Sequence, residues 1–236
     1  MRGHQHPGDV LHVRGRRQCR CGGCLDRGWL WLRRYAELLL EWNQSINLTG
    51  ARTLEAVEAQ IEDANALLGV SWAEIDTAID IGSGGGLPAI PLALAFPEVR
   101  FSLLEANLRK CAFLEHVAGT LELRNVAVLA GRAEELGHQP SVREQFDRAI
   151  SRAAAPAPVL LELALPFVTT GGDLIAEVSS VDPHRLEQAA RLLGGGAPRL
   201  ERPVAGGTAL LVVQKLGPTP AEFPRRPGLP NRRPLA

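Results

Sequence analysis

The segment Asp80-Ile-Gly-Ser-Gly-Gly-Gly86 restricts the fold of this chain more than any other. It follows the short apolar run Thr77–Ile81, which reads as a strand, and precedes an apolar helix opened by Pro88 and running to about Phe96. Glycines at 82, 84 and 86 permit a tight strand-to-helix turn and let the backbone approach a ligand without Cβ clashes. The helix that follows adds backbone N–H groups and partial positive charge. A dinucleotide-binding turn requires Gly-x-Gly-x-x-Gly. Counted from Gly82, its third glycine falls on Leu87, so that frame fails.

Strand and helix patterns alternate from there. Val99–Glu105, Val126–Leu129, Phe146–Ile150 and Asp173–Val178 read as strands, and Arg109–Thr120, residues 157–168 and Pro183–Leu193 as helices. Two last strands, at about 199–204 and 208–215, have no helix between them and form an expected antiparallel pair joined near Gly206-Gly207. The pattern predicts an α/β fold, a mostly parallel seven-stranded sheet with helices on both faces. Upstream, residues 29–46 read as an amphipathic helix through Leu32, Tyr35, Leu38, Leu39 and Trp42, and residues 53–69 as a second. The expected organisation is a disordered basic tail (1–28), a helical cap (29–70), a ligand-binding domain (71–216) and a Pro/Arg-rich arm (217–236). In the arm Pro218, Pro220, Pro224, Pro227, Pro230 and Pro234 exclude helix and central strand, leaving an extended segment, free or laid on the core.

The 26 basic and 26 acidic residues cancel, but arginines crowd both ends, including Arg225, Arg226, Arg232 and Arg233. Such ends either reach for an anion such as nucleic acid or are solvated tails. No apolar run approaches the ~20 residues that cross a bilayer. Nor does the N-terminus have the apolar region and cleavage site of a signal peptide, so a cytoplasmic, non-membrane protein is expected. Cys19, Cys21 and Cys24 supply at most three thiolates with no fourth ligand at finger-like spacing, so no metal site is expected.

Three further signals surround the glycine turn. Glu105 ends the second strand about 20 residues after it, where an acid accepts from both hydroxyls of a ribose. Gly131-Arg-Ala-Glu-Glu135 follows the third strand. It reads equally as a ligand-facing carboxylate loop or as the acidic start of a helix. Arg152 lies just beyond the fourth strand, at the edge where open α/β sheets bind ligands.

Asp/Glu-x-Gly-x-Gly-x-Gly resembles the first motif of class I methyltransferases, whose Rossmann-like fold cradles the amino-acid part of S-adenosylmethionine in this loop. The ordered set is more specific. Leu39-Leu-Glu-Trp-Asn-Gln-Ser-Ile-Asn-Leu-Thr49, Asp80–Ala93, Leu104-Glu-Ala-Asn-Leu-Arg-Lys-Cys-Ala-Phe-Leu114, Gly131–Glu135, Ser151-Arg-Ala-Ala-Ala-Pro156 and Pro218–Pro230 together resemble the glucose-inhibited division protein B family of 16S ribosomal RNA (guanine-N7) methyltransferases. The likeness spans about residues 35–236. It implies S-adenosyl-L-methionine as cofactor and 16S ribosomal RNA, or the small ribosomal subunit, as partner of a monomer. Cofactor contacts carried over by position fall on Gly82, Leu87, Glu105, Ala106, Asn107, Ala133, Glu134 and Arg152, with Gly84 and Gly86 in the same loop. Arg225, Arg226, Arg232 and Arg233 are the candidates for RNA phosphates.

The chain also departs from the family pattern. Gln60-Ile-Glu-Asp-Ala64 replaces a His-x-x-Asp-Ser-Leu-like segment, Ala89 a glycine, and Glu177 the lysine of a Lys-Gly pair. The cofactor half therefore matches better than the substrate half. A small-molecule methyltransferase and a catalytically silent cofactor-binding protein remain alternatives. Methylation at guanine N7 requires no general base, because N7 carries a free lone pair, so no catalytic residue is assigned. Trp42 or Phe223 would either stack on an unstacked guanine or pack into the core.

Overall fold

The computed structural model describes residues 24–152, 154–203 and 208–236. Cys19, Cys21, most of the expected basic tail and the Gly206-Gly207 connection lie outside the described residues. Five parallel strands form first: β1 (Thr77–Ile81), β2 (Arg100–Glu105), β3 (Val126–Ala130), β4 (Phe146–Arg152) and β5 (Val168–Val178). β6 (Arg199–Glu201) and β7 (Ala209–Gln214) pair antiparallel, as expected, and β7 inserts antiparallel beside β5. The sheet order is β3-β2-β1-β4-β5-β7-β6. Its sense reverses between β1 and β4, and ligands bind beyond the carboxyl ends of strands at such a switch point. β1 is buried along four of its five positions, as a strand covered on both faces must be.

Helices cover both faces. On one lie α1 (Cys24–Trp42), α2 (Leu54–Asp63), α3 (Ala89–Ala95) and α4 (Leu108–Thr120), around a core that includes Tyr35, Leu38, Leu39, Phe101 and Phe113. On the other lie α5 (Ala133–Leu136), α6 (Ala157–Ala164) and α7 (Pro183–Leu192), around Leu160, Leu161, Phe167 and Leu186. Each such fully buried Leu or Phe contributes about 1.5–3 kcal/mol of apolar transfer. Caps mark helix starts: the Thr53 side chain accepts from Ala56 N, Asn107 from Arg109 N and Lys110 N, and Asp182 from His184 N. Among the described residues no helix is long and apolar enough to cross a membrane.

Several boundaries differ from those expected. Helix α1 already runs at Cys24, inside the segment read as a disordered tail, and ends four residues before 46. The second helix tightens to 3-10 geometry over Ala64–Gly69. Strand β5 begins at Val168, five residues before Asp173, because Gly171 and Gly172 belong to the sheet. Gly171 N donates to Lys215 O, and a Cβ on Gly172 would stand 2.3 Å from Asp147 O. Gly172 permits close backbone approach, and Gly171 takes a φ of +96° within the strand.

The arm is laid on the core, and one of its turns is helical: α8 (Leu229–Arg232). Pro230 sits in the first turn of α8, where a missing N–H costs nothing. The prolines therefore do not exclude helix throughout the arm.

Candidate functional site

Strand β1 delivers the chain to the switch point, and the turn after it needs its glycines for different reasons. Gly82, Gly84 and Gly86 have φ of +71°, +55° and +88°. A Cβ would meet Ala154 Cβ at 2.7 Å from Gly82 and Ile90 Cγ1 at 2.6 Å from Gly86. At Gly84 the nearest atom stands 3.8 Å away, so its outer face is open. Gly85 has an ordinary φ, yet its Cβ would lie 2.9 Å from Leu39 Cδ1 of α1.

Glu105 closes the turn from the neighbouring strand. One carboxylate oxygen accepts from Gly84 N (2.9 Å) and the other from Asn107 N (2.8 Å). Its own backbone carbonyl accepts from Gly131 N (2.9 Å), which ties the end of β2 to the loop after β3. A carboxylate has about four acceptor sites, so Glu105 retains capacity for a diol while fixing the loop.

A cavity of about 430 Å³ lies over this turn. Of the residues expected at a cofactor, Gly82, Gly84, Leu87, Glu105 and Arg152 line it. Gly86 sits behind the loop, and Asn107 caps α4. Ala106 is exposed beside Glu105. The far wall was not anticipated: Leu39, Leu48, Thr49 and Gln60, all from the N-terminal cap. Asn43 builds that wall. Its Nδ2 donates to Thr49 O and Ala51 O, and its Oδ1 accepts from Leu48 N and Thr49 N. The signal was the Asn, Ser and Thr content of residues 43–49, which indicates a turn but not the surface it covers.

Arg152 is the last residue of β4, rather than just beyond it. Its Nη1 donates to Gln60 O (2.8 Å), and its Nε lies 3.9 Å from Glu177 Oε2. It also lines a larger, open groove of about 790 Å³ bounded by Ala155–Pro158, Glu177–Val181 and Arg202. The two spaces therefore meet at Arg152.

Two carboxyls near this junction, Asp80 of the glycine motif and Glu177 in place of the family's lysine, are buried, which the sequence did not reveal. Neither oxygen of Asp80 has a hydrogen-bond partner, and the residue is 1% exposed. Desolvation pushes its carboxyl up to about 8, reinforced by Glu177 and opposed by Ser83 and Arg152. Burial likewise raises Glu177 to about 7 against the pull of Arg152.

Other expected site residues serve the arm. Glu134 is 4% exposed, and its Oε1 accepts from Arg132 Nη2 (2.9 Å) and from Gly228 N (3.0 Å). Neither Ala133 nor Glu134 lines the cavity; α5 instead packs under the arm. Arg225 is corrected from a phosphate ligand to a structural staple. Its backbone N, Nε and Nη2 all bind the carboxylate of Glu162, which is fully buried in α6. Arg226, Arg232 and Arg233 stay exposed. Arg143 donates to four carbonyls, those of Gly137, Thr219, Pro220 and Phe223. Buried Lys215 donates to Leu165 O and Thr219 Oγ1, and burial lowers it to about 8. A lone acid in apolar Ala157–Ala164 was the legible trace of this staple. Phe223 is a core residue, 6% exposed, and Trp42 is partly buried, packed on Phe113 and His116 at the edge of the core.

The cavity suits S-adenosylmethionine on chemical grounds. That ligand carries an amino-acid end and a ribose diol, and this site offers an open glycine face at Gly84 and the acceptors of Glu105. Solved structures agree on the fold. The S-adenosylmethionine-dependent methyltransferase SibL in its apo form matches with a TM-score of 0.57 at 14% identity, covering 83% of this chain and 74% of that one. M. jannaschii TYW2 in complex with AdoMet matches at 0.51 and 16%, covering 72% and 77%. The architecture is thus the Rossmann-like class I methyltransferase fold. In sequence, the Ribosomal RNA small subunit methyltransferase G of Deinococcus deserti is 40% identical over 207 residues, 84% of this chain and 85% of that one. Its namesake in Geobacillus thermodenitrificans is 36% identical over 211 residues, 86% and 89% of the two chains. The family model described as rRNA small subunit methyltransferase G matches residues 31–191, and the chain belongs to that family.

Proposed function

We propose that this protein transfers a methyl group from S-adenosylmethionine to N7 of a guanine in small-subunit (16S) ribosomal RNA, as a cytoplasmic monomer. The observation that carries the reading is the junction at Arg152. Arg152 lines both the cavity built on the glycine turn and Glu105 and the larger, more open groove beside it. The bound cofactor supplies an electrophilic methyl on a sulfonium. Gly82, Gly84 and Leu87 hold its amino-acid end with Gly86 shaping the turn from behind, Glu105 with Ala106 and Asn107 holds its ribose, and the loop through Ala133 and Glu134, outside the cavity lining, borders the adenine beyond it. Arg152 fixes the wall between the two spaces by holding Gln60 O. The acceptor nitrogen needs no proton removed, so the chain contributes alignment and exclusion of water rather than a base. Arg226, Arg232 and Arg233 supply phosphate contacts beside the groove, and no metal takes part.

The test is transfer of labelled methyl to unmodified small ribosomal subunits and to their extracted RNA, with Glu105→Ala as control. Glu134→Ala is a poorer control because Glu134 also holds Gly228. The expected result is label in 7-methylguanosine, reduced at least about tenfold in the variant, as loss of charged hydrogen bonds implies. Cofactor binding without label on either RNA would overturn the reading. A small-molecule acceptor would then be favoured, because Glu177 places negative charge on the groove wall.

A further inference from the structure

We infer that the N-terminal cap is part of the cofactor site, and that Tyr35 and Leu39 of α1 are positioning residues that set the glycine turn; the inference rests on the proposed cofactor. Three observations converge. Tyr35 is fully buried, and its hydroxyl donates to Gly85 O at 2.6 Å across fifty residues of sequence. Burial pushes its phenol far above the usual range, so the hydroxyl remains a donor at any working pH. The same hydroxyl would stand 3.4 Å from a Cβ on Gly86.

Leu39 and the loop after α1 press on the other side. The methyl of Leu39 and the carbonyl of Leu48 would lie 2.9 Å and 3.4 Å from a Cβ on Gly85. Gly85 is glycine in an ordinary backbone conformation, so its requirement comes from this contact and not from φ. Leu39 and Leu48 also line the cavity, with Thr49 and Gln60 beside them. The cap is held there by Arg152 Nη1 on Gln60 O and by the four hydrogen bonds of Asn43. Glu105 alone would hold the turn from one side only. With Tyr35 it is clamped from both.

The cofactor product S-adenosylhomocysteine is the probe, and calorimetric affinity together with ligand-free melting temperature is the readout. Tyr35→Phe keeps the ring and loses one hydrogen bond to Gly85 O, so affinity weakens roughly five- to tenfold. Gly85→Ala overpacks against Leu39 and weakens affinity by about tenfold or more. Leu39→Val removes the clashing methyl. In the Gly85→Ala/Leu39→Val double variant the effects of two touching residues do not add, and affinity recovers to within about threefold of Leu39→Val alone. A merely structural contact would lower the melting temperature of Tyr35→Phe and leave its affinity unchanged. Wild-type affinity in both Tyr35→Phe and Gly85→Ala would overturn the inference, as would a double variant no better than Gly85→Ala. If the unaltered chain binds no S-adenosylhomocysteine, the proposed cofactor falls first and this inference with it.

Discussion

Asp80 shows how one residue can be visible in a motif and opaque in its chemistry. Its place two residues before Gly82 is plain in the sequence, but the lack of any partner for its buried carboxyl is a property of the packed strands around it. A carboxyl raised from 3.8 to about 8 holds its proton more tightly in the folded chain than in the unfolded one. The ligand-free protein therefore loses stability from this group as pH rises through that window, and the deficit is complete above it. Glu177, raised to about 7, acts in the same direction. Lys215, lowered from 10.5 to about 8, acts oppositely at higher pH, and both effects are common to variant and parent. We expect Asp80→Asn to melt above the unaltered protein at a pH one unit above the raised value. The advantage should shrink as pH falls toward the ordinary carboxylate range. A difference independent of pH, in melts at both ends of the window, would refute the assignment. Glu105 and Gly82, by contrast, were fully legible, because strand end and glycine turn are local patterns. Gly85 was not, since its neighbour is Leu39, far away in sequence.

At the scale of elements, the arm separates two adjacent arginines. Arg225 neutralises a carboxylate that has no exposure, whereas Arg226 faces solvent. Removing one member of a buried pair costs about 3–5 kcal/mol, and a surface change usually stays within about 0.5 kcal/mol. Urea unfolding should therefore find Arg225→Ala strongly destabilised and Arg226→Ala nearly unchanged; equal effects would contradict the staple. The sequence could not distinguish them, because arginine density reports charge but not which charge answers it. Phe223 was similarly ambiguous until α5 and α6 were seen to lie beneath it. The run of prolines predicted an extended arm with no helix, and the turn of α8 corrects that. Its course is set by partners elsewhere: Glu134, Arg143 and Glu162.

For the whole molecule, net neutrality conceals a division of labour. Arg225 is internally consumed, and Arg226, Arg232 and Arg233 remain exposed on the same arm. If these three meet phosphates, replacing all of them with alanine lowers the slope of log affinity against log salt by about two, at ~0.7 per phosphate of single-stranded RNA. S-adenosylhomocysteine affinity should not change. Filter binding of extracted small-subunit RNA across a salt series measures the slope, and an unaltered slope would place the RNA elsewhere. The layered, mostly parallel sheet was legible from alternation, but its strand order, and with it the switch point between β1 and β4, was not. The cap's entry into the cavity was not, because periodicity records that α1 has a buried face without recording what covers it.

The order in which these parts leave the ribosome during translation has its own consequence. Strand β7 fills the place between β5 and β6, and Arg225 follows it, so the sheet and the counter-charge of Glu162 are both completed by segments that emerge after the other strands. A nascent chain halted before Arg225 holds Glu162 among apolar neighbours with nothing to neutralise it. A chain truncated before Arg225 is expected to melt well below the unaltered chain, because one member of a buried pair has lost its partner.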